Sequence, residues 1–117
     1  MIAPPGYRLP GATTVGPVTL QVADLERSLD YYRQILGLRV MDQTTDSAVL
    51  STDGGATPLV SLRERRGAIP VPRRGRLGLY HFAILLPDRP ALGRFLAHLA
   101  ATGTQAGMSD HLVSEAV

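Results

Sequence analysis

The chain contains no cysteine, no tryptophan and no lysine, and only 5% of its 117 residues are aromatic. Without cysteine it can form neither a disulfide nor a thiolate, and this composition is typical of a reducing compartment. No apolar run is long enough to span a bilayer, and the first residues lack the basic and apolar regions of a signal peptide. We therefore expect a cytoplasmic protein with no membrane partner.

A strong excess of charge of one sign is also lacking, because the formal net charge is only +2. All twelve basic residues are arginine, and half of them crowd one stretch rich in glycine and proline. These are Arg63, Arg65, Arg66, Arg73, Arg74 and Arg76. We interpret the stretch as a solvated loop, and an anion clamp is the alternative. The stretch from Arg63 to Arg76 contains no aromatic residue that could stack on bases. We therefore expect no nucleic-acid partner.

What the chain does contain is a clear strand followed by a clear helix. Residues 18–22 alternate apolar with polar side chains, which predicts a strand with one buried face. Residues 25–36 then place apolar side chains at helical spacing. Asp24 suits the N-cap of that helix, and Gly37 suits its left-handed C-terminal position.

The same pattern returns in the second half of the chain. Residues 79–86 repeat the strand, Asp88 repeats the N-cap, and residues 89–102 repeat the helix before Gly103. In the first half the helix is followed by three segments of strand character, 38–41, 48–50 and 59–63, with a hairpin signal at Asp53-Gly54-Gly55. The chain is therefore predicted to hold two copies of one unit that pack as a single body.

This repeat predicts four parts of the chain. They are an extended arm over 1–16, a first βαβββ module over 17–65, an Arg/Pro/Gly-rich linker over 66–78, and a second module over 79–117. The second module is shorter than the first, which predicts that it is truncated before its last strand. We therefore expect either a fragment of a longer protein or a homodimer in which the second copy covers the open edge.

The motif V-x-L-x-V-x-D-L-x-x-S-L-x-Y-Y-x-x-x-L-G-L, at residues 18–38, resembles the vicinal oxygen chelate superfamily of glyoxalase, bleomycin-resistance and dioxygenase proteins. Residues 78–89 and 109–117 further resemble the amino-terminal module of catechol 2,3-dioxygenase-type proteins. The resemblance implies an α+β fold. In such a fold two βαβββ modules form a curved mixed sheet cup with the helices outside.

In metal-using members of that superfamily the ligands project from the strands that open and close each module. The matching positions in this chain are Pro17, Ser61 and His81, and a fourth lies beyond Val117. Proline has no donor atom and serine is a weak ligand, so His81 is the one metal candidate. The resemblance therefore implies no cofactor in this chain, with Fe(II) or another divalent metal held elsewhere in a full-length protein.

The candidate site is the polar side of the predicted cup. Thr19 and Gln21 alternate with the apolar residues of the first strand, and Ser61 and His81 occupy the matching positions described above. We predict that these four residues bind a substrate, and we assign no catalytic residue. For His81 the alternative is a hydrogen-bonded histidine that fills the cup.

The resemblance implies the non-metal module of an extradiol-type ring-cleaving dioxygenase, an oxidoreductase whose small ligand is aromatic or catecholic. By this hypothesis the parent protein is an enzyme and this chain alone is inactive. The alternative is a metal-independent small-molecule binding protein of the bleomycin-resistance kind. A glyoxalase-like lyase is the third hypothesis, and Pro17 argues against it.

Overall fold

The fold is seen in a computed structural model, which describes residues 6–69, 79, 81–110 and 115–116. Its elements are β1 (Val18–Val22), α1 (Leu25–Asp30), a π-helical segment (Tyr31–Ile35), β2 (Arg39–Gln43), β3 (Ser47–Ser51), β4 (Val60–Glu64), α2 (Arg89–Thr102), β5 (Ser109–Asp110) and β6 (Glu115–Ala116). The first four strands form one sheet of order β1-β4-β3-β2, and β5 pairs with β6. The predicted α+β class is confirmed.

The four-stranded sheet is mixed. β1 runs parallel to β4, whereas β4 pairs antiparallel with β3, and β3 with β2. A parallel pair needs a long connection between its strands, and the segment from α1 to β3 supplies it. This places β4 inside the sheet, between β1 and β3, and leaves β1 and β2 as its two edges.

One face of this sheet packs against α1 to make the core. The buried side chains of that cluster are Leu25, Leu29, Leu38, Ala48, Leu50, Val60 and Leu62. Leu50 and Leu62 are 0% exposed. Because side chains alternate along a strand, burying Val60 and Leu62 directs Ser61 and Arg63 to the opposite face. The hydrophobic effect on one face therefore determines what the other face presents.

Two carboxylates hold the first turn of α1. The Asp24 carboxylate accepts a hydrogen bond from the Arg27 backbone N–H at 3.1 Å, which confirms the predicted N-cap. The Glu64 carboxylate, at the end of β4, accepts from the Leu25 backbone N–H at 2.8 Å. The second contact joins residues that are distant in sequence, and it ties the helix to the sheet.

The first helix has the predicted extent but changes type along its length. It is α-helical over Leu25–Asp30 and π-helical over Tyr31–Ile35, a widened form that is rare in proteins. Gly37 has a φ of +71°, as predicted for the residue that ends the helix. The Leu38 N–H then donates to the Tyr32 carbonyl at 3.0 Å and returns the chain to the sheet.

In the second half, α2 is confirmed with both of its predicted ends. The Asp88 carboxylate accepts from the Ala91 N–H at 2.8 Å, and Gly103 is left-handed with a φ of +71°. On the α2 surface, the His98 ring nitrogen Nε2 lies 2.8 Å from the Gln34 carbonyl, so α2 contacts the π-helical segment. Among the described residues, no helix is long and apolar enough to cross a membrane.

The prediction of a strand over residues 79–86 is wrong for the residues of that range that the structure describes. Leu79 and residues 81–86 belong to no strand, although Phe82 packs against the core cluster. The apolar run over residues 82–86 predicts burial, whereas a strand also needs a neighbouring backbone to complete its hydrogen bonds. Here the sheet ends at β1, and Phe82 is half-buried against the core without joining the sheet.

The Arg-rich stretch also differs from the interpretation given above. Arg63 was counted with the arginines of the loop and was also predicted to end the strand 59–63, and the structure confirms the strand, because Arg63 lies within β4. The reason is that the strand continues two residues beyond its last buried leucine, paired with β1 on one side and β3 on the other. Residues 70–78, which include Arg73, Arg74 and Arg76, lie outside the described residues, as do residues 111–114 of the second module.

Removing the N-cap of α2 is expected to cost stability. Asp88→Ala should lower the free energy of unfolding by about 1 kcal/mol, because the Ala91 N–H loses its acceptor, whereas Asp88→Asn should retain most of it. Urea unfolding followed by circular dichroism measures both variants. Asp30→Ala, an exposed change without a cap, serves as control. Equal stability of Asp88→Ala and the unchanged chain would contradict this role.

Candidate functional site

The face of the sheet opposite the core is polar, and it brings together two of the predicted site residues. Thr19 of β1 and Ser61 of β4 are direct register partners, and Val49 of β3 is the next partner across. Asp42 of β2 completes this row beyond Val49. Side chains opposite one another on adjacent strands can contact the same molecule, since their Cβ atoms lie about 5 Å apart.

A second row of polar residues lies beside the first. Gln21 of β1 pairs with Arg63 of β4, and Arg63 pairs with Ser47 of β3. Gln21 was predicted for the site, whereas Arg63 and Ser47 were not. The sequence did contain a signal for Arg63, since it lies two positions after Ser61 in the same strand. The cluster of arginines and the turn residues that follow obscured that signal. We call the six residues of the two rows on β1, β4 and β3 the polar face: Thr19, Gln21, Ser47, Val49, Ser61 and Arg63.

In the part of the chain that the structure describes, the side chains on the β1 and β4 part of this face have no polar partner. Within the described residues, those of Thr19, Gln21, Ser61 and Arg63 make no hydrogen bond or ion pair. On β3, by contrast, the Ser47 hydroxyl is 2.6 Å from the Thr44 hydroxyl. Thr19, Gln21 and Arg63 are exposed and Ser61 is half-buried, so the four side chains are accessible for a ligand.

His81 is placed differently from the other predicted site residues. It is exposed and lies in the segment 81–86, which is not a strand, so its predicted position on the strand that opens the second module is wrong. The physical reason is the missing ladder partner described above. Strand register therefore does not connect His81 with Thr19 or Ser61, and its role in a site stays a prediction.

The described residues do not provide a ligand set for a divalent metal ion. Among them, no three side chains of histidine, aspartate or glutamate cluster closely enough to hold an ion. At the positions that the superfamily pattern would use, Pro17 has no donor, Ser61 is a weak ligand and His81 lies outside the sheet. A divalent metal therefore does not fit this part of the chain.

A broad open cleft of about 730 Å³ lies at the end of the first helix, apart from the predicted residues. It is lined by Arg33, Gln34, Gly37, Leu38, Arg39, Val40, Gln43 and Asp53. One lining residue, Arg39, is already used by the fold, because its Nη2 donates to the Gly55 carbonyl at 2.7 Å. None of Thr19, Gln21, Ser61 and His81 lines this cleft, so it is a separate feature.

Near this cleft, the π-helical segment carries two adjacent tyrosines, Tyr31 and Tyr32. Burial raises the pKa of the Tyr32 hydroxyl above its usual value of 10.0, and the neighbouring Tyr31 adds to the rise. The two rings meet edge to face, with centroids 5.4 Å apart. Tyr32 also packs against the core cluster, so its neutral form is favoured by the fold.

This raised pKa predicts a pH dependence of stability. The unfolded chain releases the Tyr32 proton first, so the stabilisation is present below about pH 10 and is lost as the pH rises through the folded value. Urea unfolding below and above that pH should show a smaller alkaline loss for Tyr32→Phe than for the unchanged chain. Tyr7→Phe, in the exposed arm, is the control. Equal alkaline losses for Tyr32→Phe and the unchanged chain would show that Tyr32 does not contribute.

Comparison with known proteins relates this arrangement to a large superfamily. Residues 14–113 match the family model described as Glyoxalase/Bleomycin resistance protein/Dioxygenase superfamily. The protein named catechol-2,3-dioxygenase from Bacillus subtilis (strain 168) is 45% identical over 105 residues, which are 90% of this chain and 36% of that protein. The chain thus spans about a third of the length of this curated relative.

Solved structures agree on the fold at lower sequence identity. The crystal structure of lactoylglutathione lyase from Agrobacterium tumefaciens has a TM-score of 0.59 at 18% identity, covering 86% of this chain and 77% of that one. A bleomycin resistance determinant encoded on the transposon Tn5 has a TM-score of 0.57 at 18% identity, covering 85% and 72%. With the family match over most of its length, the chain belongs to the glyoxalase/bleomycin resistance protein/dioxygenase superfamily.

Proposed function

We propose that this chain is the non-metal module of an extradiol-type, catechol 2,3-dioxygenase-like ring-cleaving enzyme. The observation that carries the proposal is the 45% identity to the Bacillus subtilis protein of that name, which extends over 90% of this chain. The module contributes a surface for a small aromatic or catecholic ligand, and the ring-cleaving chemistry belongs to the whole enzyme.

The polar face supplies the groups that such a ligand requires. The Thr19 and Ser61 hydroxyls each donate and accept hydrogen bonds, and the Gln21 amide does both with separate atoms. Val49, in the same row as Thr19 and Ser61, offers apolar area for a ring. A diol on an aromatic ring matches this combination, because its two hydroxyls can bind two side chains while the ring covers the valine.

The described residues lack a suitable set of metal ligands, which supports separate sites for metal chemistry and for ligand binding within the enzyme. By this proposal, any iron that the enzyme uses is held outside the described part of the chain. Such an ion would bind the oxygens of the substrate and activate dioxygen. The residues of the polar face then have the separate task of binding and orienting an organic molecule.

A metal-independent binding protein is the second candidate. The four accessible side chains on the polar face favour it, since they make no hydrogen bond or ion pair within the described residues and can bind a small molecule without a metal. The Tn5 protein with a similar fold is named a bleomycin resistance determinant, a name that refers to a small molecule rather than to a ring-cleaving reaction. In both candidates the ligand lies on the same face, and only the enzyme module requires a catecholic ligand.

Calorimetric titration with catechol tests the proposal. The chain should bind catechol equally after treatment with EDTA and after anaerobic incubation with Fe(II), should retain no stoichiometric iron, and should cleave no ring on its own. Thr19→Val and Ser61→Ala should each weaken binding by about 3- to 10-fold, the effect of one lost hydrogen bond. Thr14→Val, the same change in the exposed arm, is the matched control and should bind as the unchanged chain does.

Two results would contradict the proposal. Stoichiometric iron held by this chain, together with ring cleavage, would assign the metal chemistry to this module itself. If catechol does not bind, a catecholic ligand is excluded. If other small molecules bind instead, the second candidate is favoured. A homodimer through the open edge of the second module stays a prediction, which light scattering coupled to gel filtration can test.

A further inference from the structure

We propose that Arg63 selects organic acids, so that the polar face binds a small aromatic carboxylate with its carboxyl group at Arg63. This inference rests on the proposed function, since it concerns the ligand of the same face. It goes further because it identifies a specificity-determining residue, and a charge on the ligand, that the dioxygenase proposal does not require.

The position of Arg63 within the sheet makes it a candidate anchor. It lies on an inner strand, with Gln21 as its register partner on β1 and Ser47 as its partner on β3. Its neighbours along β4, Leu62 and Glu64, belong to the core side of the sheet, where Leu62 is fully buried and Glu64 holds α1. The Arg63 side chain therefore stands on the polar face between two neutral polar residues.

Among the described side chains, none forms an ion pair with Arg63. Arg66 pairs with the Glu64 carboxylate at 3.3 Å, and Arg39 donates to the Gly55 carbonyl. Within the described residues, Arg63 has no such partner. The carboxylates nearest in register are also engaged or distant, since Asp46 accepts from the Thr44 hydroxyl and Asp42 lies two strands away in the other row.

The chemistry of this arrangement favours a carboxylate over a neutral group. A guanidinium offers two parallel N–H donors that match both oxygens of one carboxylate. The Gln21 amide can add a third donor from the neighbouring strand. Strand geometry places the row of Thr19 and Ser61 roughly 7 Å further along the face, a distance that one aromatic ring spans. The carboxyl group would lie on the second row, at Arg63, and the ring on the first row, at Thr19 and Ser61.

Benzoate and benzamide form a matched pair of probes, because they differ in charge and hardly in shape. Calorimetric titration of the chain should give tighter binding for benzoate than for benzamide. Arg63→Gln should weaken benzoate binding by about tenfold or more, the loss expected for charge-assisted hydrogen bonds, and should leave benzamide binding nearly unchanged. Arg63→Lys should be intermediate, since it keeps the charge without the two-pronged geometry.

Arg27→Gln is the matched control, because it removes the same charge from an exposed position on α1, the helix on the core side of the sheet. It should bind both probes as the unchanged chain does. Circular dichroism should show that both glutamine variants are folded, as expected for exposed sites.

Two results would overturn the inference. One is equal affinity of the unchanged chain for benzoate and benzamide. The other is an equal loss of benzoate binding in Arg63→Gln and Arg27→Gln, which would indicate only a general effect of net charge.

Titration with catechol separates this inference from the proposed function. If catechol still binds with the expected loss in Thr19→Val while benzoate shows no dependence on Arg63, only the inference about Arg63 fails. If neither catechol nor benzoate binds, both fail.

Discussion

Leu62→Ala is expected to lower the free energy of unfolding by about 2–5 kcal/mol, the usual loss when a leucine is truncated in a core. Leu62 is 0% exposed and lies on the inner strand β4. Its register partners are Leu20 and Ala48, so the truncation leaves a cavity between three strands beneath α1. Urea unfolding monitored by circular dichroism measures the loss, which is large relative to the stability of a small domain.

Val49→Ala is the matched control for that truncation. Val49 lies on the neighbouring strand but on the polar face, and it is only half-buried. We expect a loss of about 1 kcal/mol, as is common for a partly exposed position. Equal losses in the two variants would contradict the assignment of the two faces of the sheet, on which the candidate site also depends.

Glu64→Ala is expected to lower the free energy of unfolding by about 2 kcal/mol. The variant removes the acceptor of the Leu25 N–H, and Leu25 is only 2% exposed, so a buried donor loses its partner. The ion pair with Arg66 adds little, because the Arg66 side chain is 92% exposed. Glu64→Gln should retain much of the stability, since its amide oxygen can still accept the hydrogen bond.

Glu26→Ala is the control for the change at Glu64. Glu26 is an exposed residue of the same helix turn, and its one contact is a 3.3 Å hydrogen bond from the Gln43 amide. We expect a change within about 0.5 kcal/mol. A loss as large as that in Glu64→Ala would mean that negative charge near the helix start, rather than the specific contact from β4, stabilises α1.

The features that sequence predicted well are those that neighbouring residues decide. Asp24 and Asp88 are N-caps because a carboxylate three positions before a free N–H can reach it in any helix. Gly37 and Gly103 end their helices because glycine adopts positive φ at no steric cost. These contacts span a few residues, so local sequence is enough to predict them.

The features that sequence missed depend on residues far apart in the chain. Glu64 stabilises α1 across a separation of 39 residues, and no local pattern indicates that pair. Residues 82–86 form a continuous apolar run, which is consistent with a buried strand. A strand also requires a partner with free hydrogen-bonding groups. The π-helical turn over Tyr31–Ile35 was missed because helical spacing does not distinguish a π-helix from an α-helix.

The candidate site was predicted in part. Thr19 and Gln21 follow from alternation along one strand, but their proximity to Ser61 needed the resemblance to the superfamily, since register between distant strands is not local information. Arg63 was predicted to end the strand 59–63, but it was also counted with the arginines of the loop, so it was not considered for the site. His81 was expected on a strand that the structure does not form there, so its part in the site remains a prediction.

The central claim is that the polar face, rather than the cleft at the end of the first helix, binds the ligand. Amide chemical shifts of the ¹⁵N-labelled chain during a titration with catechol test it most directly. The account predicts saturable shifts at Thr19, Gln21, Ser61 and Arg63. Shifts confined to Arg33, Gln34, Gly37 and Gln43, or no shift on β1 and β4, would contradict it.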